Sequence, residues 1–305
     1  MKNVDDIRKL FESYGYNERE TNKIIENYVN EYTDETMKRK VTEIYNYLLN
    51  YYSKQKVIKI TTSNVFVFSM SLNTIKKNIS DMIDLGYEED EVYKMIGIHP
   101  SLIGLTKDNY TSKIDAMKKL GFKKDDVLKM SKKLPQIYGY SIDSINNKFS
   151  NMEDLGFRKE EIITMAKSFP HIFGITTNNI KQKIDYISSL DYSREDVFRI
   201  IKGLPTLFGL TNENIKGKID FYDSIGMHDL AFIDPPRLRQ SASLSYARYM
   251  FYKENGIMVD MDNYYELFIN EKRFEQKYKL SKKQLLMEYN YDDYISKKKG
   301  SDKLW

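Results

Sequence analysis

Lysine recurs at a fixed interval through the middle of this chain. Lys113, Lys148, Lys183 and Lys218 are each 35 residues apart, and Arg248 stands 30 residues further on. If a repeating element carries this column, stacked copies set its cations in a line. A line of ammonium groups is the chemistry that neutralises a phosphate backbone. The same spacing also suits a solvated helix face, with lysine stems covering neighbouring apolar side chains. A second column, Lys132, Lys167 and Lys202, keeps the interval, with Lys129 and Arg199 about one helical turn earlier. These fall near predicted helix C-termini, where cations complement the dipole without any ligand. Arg237, Arg239 and Arg248 follow Pro235-Pro236. Arginine is the stronger bidentate ligand for phosphate or a guanine edge.

No comparable pattern points to catalysis. His99, His171 and His228 fall in three different columns of the repeat, without metal-ligand spacing. There is no cysteine, which excludes cysteine-ligated zinc and a disulfide scaffold. No Gly-rich phosphate loop, paired-carboxylate motif or nucleophile elbow is visible. The expectation is a non-enzymatic protein with no cofactor and no metal.

The elements that must carry the cations are marked by proline. Pro100, Pro135, Pro170 and Pro205 share the 35-residue period. Gly104, Gly139, Gly174 and Gly209 stand four residues after each, and Thr106, Ser141, Thr176 and Thr211 two further on. The Thr/Ser column suits a helix N-cap, whose hydroxyl accepts from a free backbone N–H. Apolar residues then recur at helical spacing, as in Ile145, Phe149 and Met152. Leu120-Gly121, Leu155-Gly156, Leu190-Asp191 and Ile225-Gly226 end this first helix, with a left-handed C-cap expected at the second residue. A second helix opens on acidic pairs, Asp125-Asp126, Glu160-Glu161 and Glu195-Asp196, and stops at the next proline. The four-residue apolar link after each proline fits one 3₁₀ turn.

The repeat predicts an all-α, right-handed-type α-solenoid forming a curved superhelix. Val65–Ser71 keeps the register without Pro or Gly. Val29, Leu49–Tyr51 and Tyr14-Gly15-Tyr16 fit degenerate copies, and Pro235 comes early enough to shorten one second helix. The expected divisions are degenerate N-terminal repeats over 1–62, regular repeats over 63–255, and a C-terminal helical cap with a basic tail over 256–305. Tyr265, Phe268, Phe274 and Tyr278 are expected core anchors of that cap. The tyrosines Tyr28, Tyr32, Tyr45, Tyr47, Tyr51 and Tyr52 suggest a contact surface, whereas Phe122, Phe157, Tyr192, Tyr138, Phe173 and Phe208 read as core.

With 48 basic and 44 acidic residues the net charge is only +4, so a cationic surface requires segregated charges. Acidic helix starts and basic helix ends, in register, predict one acidic and one basic edge. No apolar run is long enough to span a membrane, and no secretory or transit signal is evident, so a cytoplasmic monomer is expected.

The proline, Leu-Gly and N-cap columns resemble those of the mitochondrial transcription termination factor family. Its Leu-Pro pair appears as Leu134-Pro135 and Leu204-Pro205, and its Leu-Gly-Phe turn as Leu120–Phe122 and Leu155–Phe157. The resemblance covers roughly residues 63–255, and Phe274–Tyr278 looks like part of the family's C-terminal helices. It implies a superhelix holding double-stranded DNA, or in some members RNA, in a basic groove, with roles in transcription or RNA metabolism. The alternative is a protein-interaction scaffold on the same solenoid.

Overall fold

Each copy of the repeat folds for local reasons. Ser71, Ser141, Thr176, Thr211 and Ser241 precede the first helices, and each side-chain oxygen accepts from the N–H three residues on, at 3.0–3.2 Å. Such a cap is worth about 1 kcal/mol. The first helix ends where the chain turns left-handed. Gly121 and Gly156 both have φ of 106°, and Asp191 takes the same role at 62°. The acidic residue in the first turn of the second helix then caps that helix's start. The backbone N–H groups of Glu88, Lys123 and Arg158 donate to Glu91, Asp126 and Glu161 at 3.2, 3.1 and 2.9 Å. Proline fixes φ and lacks an N–H, so it ends the second helix and begins a 3₁₀ turn.

The computed structural model describes residues 4–28 and 34–301. Among them there is no strand; the fold is an all-α helical repeat with short 3₁₀ turns between helix pairs. The first pairs are α1 (Val4–Tyr14) with α2 (Glu18–Tyr28), and α3 (Asp34–Leu49) with α4 (Lys54–Ser63). Regular pairs follow: α5 (Leu72–Asp84) and α6 (Glu89–Ile98), then α7 (Lys107–Lys119) and α8 (Lys124–Lys133). Next come α9 (Ile142–Asp154) and α10 (Lys159–Ser168), then α11 (Thr177–Ser188) and α12 (Arg194–Gly203). In the last pair before the cap, α13 (Asn212–Ser224) precedes α14 (Leu230–Ile233), the shortened second helix. The chain ends in α15 (Ala242–Glu254), α16 (Glu271–Tyr278), α17 (Lys282–Glu288) and α18 (Tyr291–Ser301). The 3₁₀ turns run Val65–Ser69, Pro100–Gly104, Pro135–Gly139, Pro170–Gly174, Pro205–Gly209, Pro235–Arg239 and Tyr264–Phe268.

The chain divides into two compact units. One is Met1–Asn151 with Ala166–Phe173, and the other Met152–Met165 with Gly174–Trp305. The core of each is built from the repeating apolar columns. In the first unit Ile75, Val92, Leu102, Met117 and Val127 are fully buried or nearly so; in the second Ile180, Val197, Leu207 and Ile215 are. Each such side chain contributes about 1.5–3 kcal/mol through apolar burial.

Residues 256–301 hold one 3₁₀ turn, Tyr264–Phe268, followed by α16, α17 and α18, and one expected anchor there changes. Tyr265 is 54 % exposed and is no anchor; Leu267, two residues on, is fully buried instead. A turn with about three residues per revolution turns only one of such neighbours inward. Phe274 is buried as expected. The segment expected as a basic tail is helical to Ser301, whereas the side chains of Lys297–Lys299 lie outside the described residues, as do Val29, Tyr32 and the side chain of Tyr28.

Candidate nucleic-acid interface

The first-helix column of cations is turned into the protein. Lys113, Lys148, Lys183 and Lys218 are between 5 % and 9 % exposed, and Arg248 is 2 % exposed. The donors of Lys113, Lys183, Lys218 and Arg248 meet carbonyl groups at, or just past, the next 3₁₀ turn. Lys113 Nζ donates to the Tyr140 carbonyl. Lys183 Nζ donates to Leu210 O at 2.8 Å and to Asn212 Oδ1 at 2.7 Å. Lys218 Nζ reaches Leu238 O at 2.6 Å, and Arg248 Nη1 reaches Leu267 O at 2.8 Å. The column extends upstream to Asn78, buried, with its amide on Ile103 O at 2.8 Å. Lys40 makes the corresponding bond to Ser69 O at 2.6 Å.

Burial lowers the ammonium pKa of all four lysines and the guanidinium pKa of Arg248. Against that burial, Glu213 favours the charged form of Lys183 and Glu271 that of Arg248, beside the backbone carbonyls these donors meet. Lys113, Lys183, Lys218 and Arg248 thus act as structural donors to backbone carbonyls, a departure from the phosphate path expected of this column; Lys148 is as deeply buried.

A signal for this was present in the sequence. Each column lysine lies three residues after one apolar column (Tyr110, Ile145, Ile180, Ile215) and four before another (Met117, Met152, Ile187, Tyr222). On a helix both neighbours share its face.

The second column forms a ladder of ion pairs. Lys132 meets Glu91 at 2.6 Å, Lys167 meets Asp126 at 3.0 Å, and Lys202 meets Glu161 at 2.7 Å. In each pair the basic end of one second helix lies against the acidic start of the preceding one. The predicted acidic and basic edges are thereby neutralised against each other. Burial works to raise the Glu161 carboxyl, yet hydrogen bonds from Lys202 and Arg158 hold it at about 2. For Glu91 the bond from Lys132 is the main cause of its lowered pKa.

The arginine cluster separates. Arg237 pairs with Asp234 at 2.8 Å and lies over the Phe268 ring at 5.1 Å. Arg248 belongs to the buried column. Arg239 alone is exposed, at the end of its 3₁₀ turn where earlier repeats carry Gly104, Gly139, Gly174 and Gly209. The aromatic columns pack inward: Phe122, Phe157, Tyr138, Phe173 and Tyr192 are buried, with Phe208 partly so. Of the N-terminal tyrosines, Tyr45 is buried and Tyr51 is 41 % exposed, stacked on Tyr93 at 3.5 Å. His228 bonds Asp223 at 2.6 Å, and no group of His, Asp and Glu suited to a metal ion occurs among the described residues.

One set of cations was not singled out from the sequence. Lys124, Lys159 and Arg194 are the first residues of α8, α10 and α12, and all three are exposed. Lys123 and Arg158 stand beside the first two. The helix dipole is positive at this end, so a cation there is locally unfavourable by a few tenths of a kcal/mol or more. Helix formation therefore explains Lys132, Lys167 and Lys202 but not these three. Around Arg158, Arg194 and Lys202 lies an open cavity of about 530 Å³, with Arg194 over the Phe198 ring at 5.6 Å.

No curated protein matches the chain significantly. The mTERF family profile matches residues 1–152 and 144–232, more than half of the sequence. With its helix, helix and 3₁₀ repeat and with that match, the chain belongs to the mTERF family.

Proposed function

We propose that this chain is a non-enzymatic nucleic-acid-binding repeat protein that holds duplex DNA or RNA through phosphate contacts, in transcription or RNA metabolism. The family is one of nucleic-acid-binding helical-repeat proteins, which supports the kind of partner. The observation that supports the reading is the exposed cation at the start of a second helix where the dipole opposes it, Lys124 in one unit and, independently, Lys159 and Arg194 in the other. Arg239 and the still half-exposed Lys132, Lys167 and Lys202 supplement them. The buried column acts indirectly, by fixing the spacing of the repeats that present these groups. Phosphate contacts of this kind orient a duplex and read little sequence.

The test is fluorescence anisotropy of labelled duplex DNA, duplex RNA and single strands at two salt concentrations. Tight binding to one duplex is expected, falling steeply with salt. The triple variant Lys124→Glu, Lys159→Glu, Arg194→Glu should bind at least about tenfold more weakly. Absence of binding by the folded protein at low salt, or equal affinity in the triple variant, would remove the proposal.

A further inference from the structure

The ladder between second helices has a fixed layout. An acidic residue in the first turn of one helix meets a lysine near the end of the next, 41 residues later, as Glu91 meets Lys132 at 2.6 Å. One step upstream, between α4 and α6, both positions change. Lys56 stands where Glu91, Asp126 and Glu161 stand later, and Gly97 stands where Lys132, Lys167 and Lys202 do. The cation has moved to the acidic position, and its partner has become a glycine. A Cβ on Gly97 would lie 3.2 Å from Lys56 Cε and 3.4 Å from Tyr52 Cε1, so the lysine stem runs over the bare helix surface.

A cavity of about 620 Å³ opens at this place, lined by Tyr51, Tyr52, Lys56, Tyr93, Gly97 and Ile98. Its aromatic walls are held in position. Tyr51 stacks on Tyr93 at 3.5 Å, the Tyr52 hydroxyl donates to Tyr93 O at 2.5 Å, and the Tyr47 and Tyr93 hydroxyls bond at 2.7 Å. Ile98 is left 61 % exposed. The carboxylate in the lining, Asp90, is taken by Lys94 at 2.5 Å. Lys56 is half-buried and makes no ion pair among the described residues. An ammonium in that position, beside the space its ladder partner leaves, calls for an anion. The tyrosines and Ile98 call for a planar, apolar body attached to it.

We propose that this cavity binds a small aromatic carboxylate, whose anionic group pairs with Lys56 and whose ring lies against the tyrosine walls. The later repeats show that a carboxylate and an ammonium fit between successive second helices at 2.6–3.0 Å. Here the chain supplies the ammonium alone, and the ligand supplies the other half of the pair. The site shares no residue with the cationic positions above, so its failure leaves the nucleic-acid proposal intact.

The probe is benzoate, titrated with the full chain and followed by ligand-observed NMR, beside its neutral isostere benzamide and phenyl phosphate. Saturable benzoate binding is expected, with a Kd of about 1 mM or below. Benzamide should bind at least about fivefold more weakly, because it lacks the charge-assisted bond. Lys56→Gln breaks no ion pair, so it should keep the melting temperature and bind benzoate and benzamide alike. The double variant Lys56→Glu, Gly97→Lys rebuilds the ladder pair and removes a glycine from α6. It should melt at the same or a higher temperature and lose benzoate. Benzoate that fails to saturate by about 10 mM, binds no better than benzamide, or is held equally by Lys56→Gln would overturn the site. Tighter binding of phenyl phosphate than of benzoate would overturn the assignment to a carboxylate.

Discussion

At the scale of single residues, a lysine can be a surface ligand or a structural donor, and its backbone surroundings decide which. Lys218 is 5 % exposed with its ammonium on Leu238 O. Lys218→Met keeps the length of the side chain but leaves that carbonyl unpaired, which should destabilise the protein by about 1–3 kcal/mol in urea unfolding at neutral pH. Burial lowers the Lys218 pKa below 10.5, so the folded chain releases its proton first as the pH rises. The unfolded chain then binds more protons, and stability rises with pH. Wild type should gain on Lys218→Met in the alkaline window below 10.5; a difference that stays flat would argue against a buried, charged donor. Asp191 gives the opposite kind of case. Its φ of 62° lies in the region that Gly86, Gly121, Gly156, Gly226 and Gly256 fill at the equivalent position of other repeats. Asp191→Gly should therefore raise stability by up to about 1 kcal/mol, measured by thermal unfolding.

At the scale of elements, the second helices are tied by their own termini. Glu161 caps α10 through the Arg158 N–H and also receives Lys202 of α12. One carboxylate thus serves a helix start and a contact between neighbouring helices. Glu161→Gln keeps the shape and loses the charge, and should cost about 1–2 kcal/mol at neutral pH. The Glu161 pKa is held at about 2, below its ordinary 4.5. The stability it contributes is full above 4.5 and is lost as the pH falls toward 2. The difference between wild type and variant should shrink over that range; if it persists at the acid end, the charge is not the source.

At the scale of the whole molecule, a net charge of +4 leaves little general attraction for a polyanion, so binding must rest on a few placed cations. The triple variant at Lys124, Lys159 and Arg194 separates function from folding by sign. Acidic residues at helix N-termini favour the dipole, so unfolding stability should stay within about 1 kcal/mol of wild type or rise. Duplex affinity should fall, and the salt slope should drop by about 3, one unit for each lost phosphate contact. A variant that loses stability and affinity together would show these cations to be structural.

The sequence by itself determined the helical repeat. The prolines, the Thr/Ser caps and the Leu-Gly turns act within a few residues of chain, so their spacing alone places each helix end. It also marked the early Pro235 that shortens α14. Only the tertiary structure decided which cations face water. Lys113 and Lys124 are alike in type and periodicity, yet one meets a carbonyl of the next repeat and the other meets solvent. That difference depends on a neighbour 27 residues away along the chain, at Tyr140. The pairing of helix ends across repeats was hidden for the same reason, since Lys202 and Glu161 are 41 residues apart. Local chemistry builds each helix pair, whereas burial and charge pairing belong to the stack, because both depend on what the next repeat brings against the side chain.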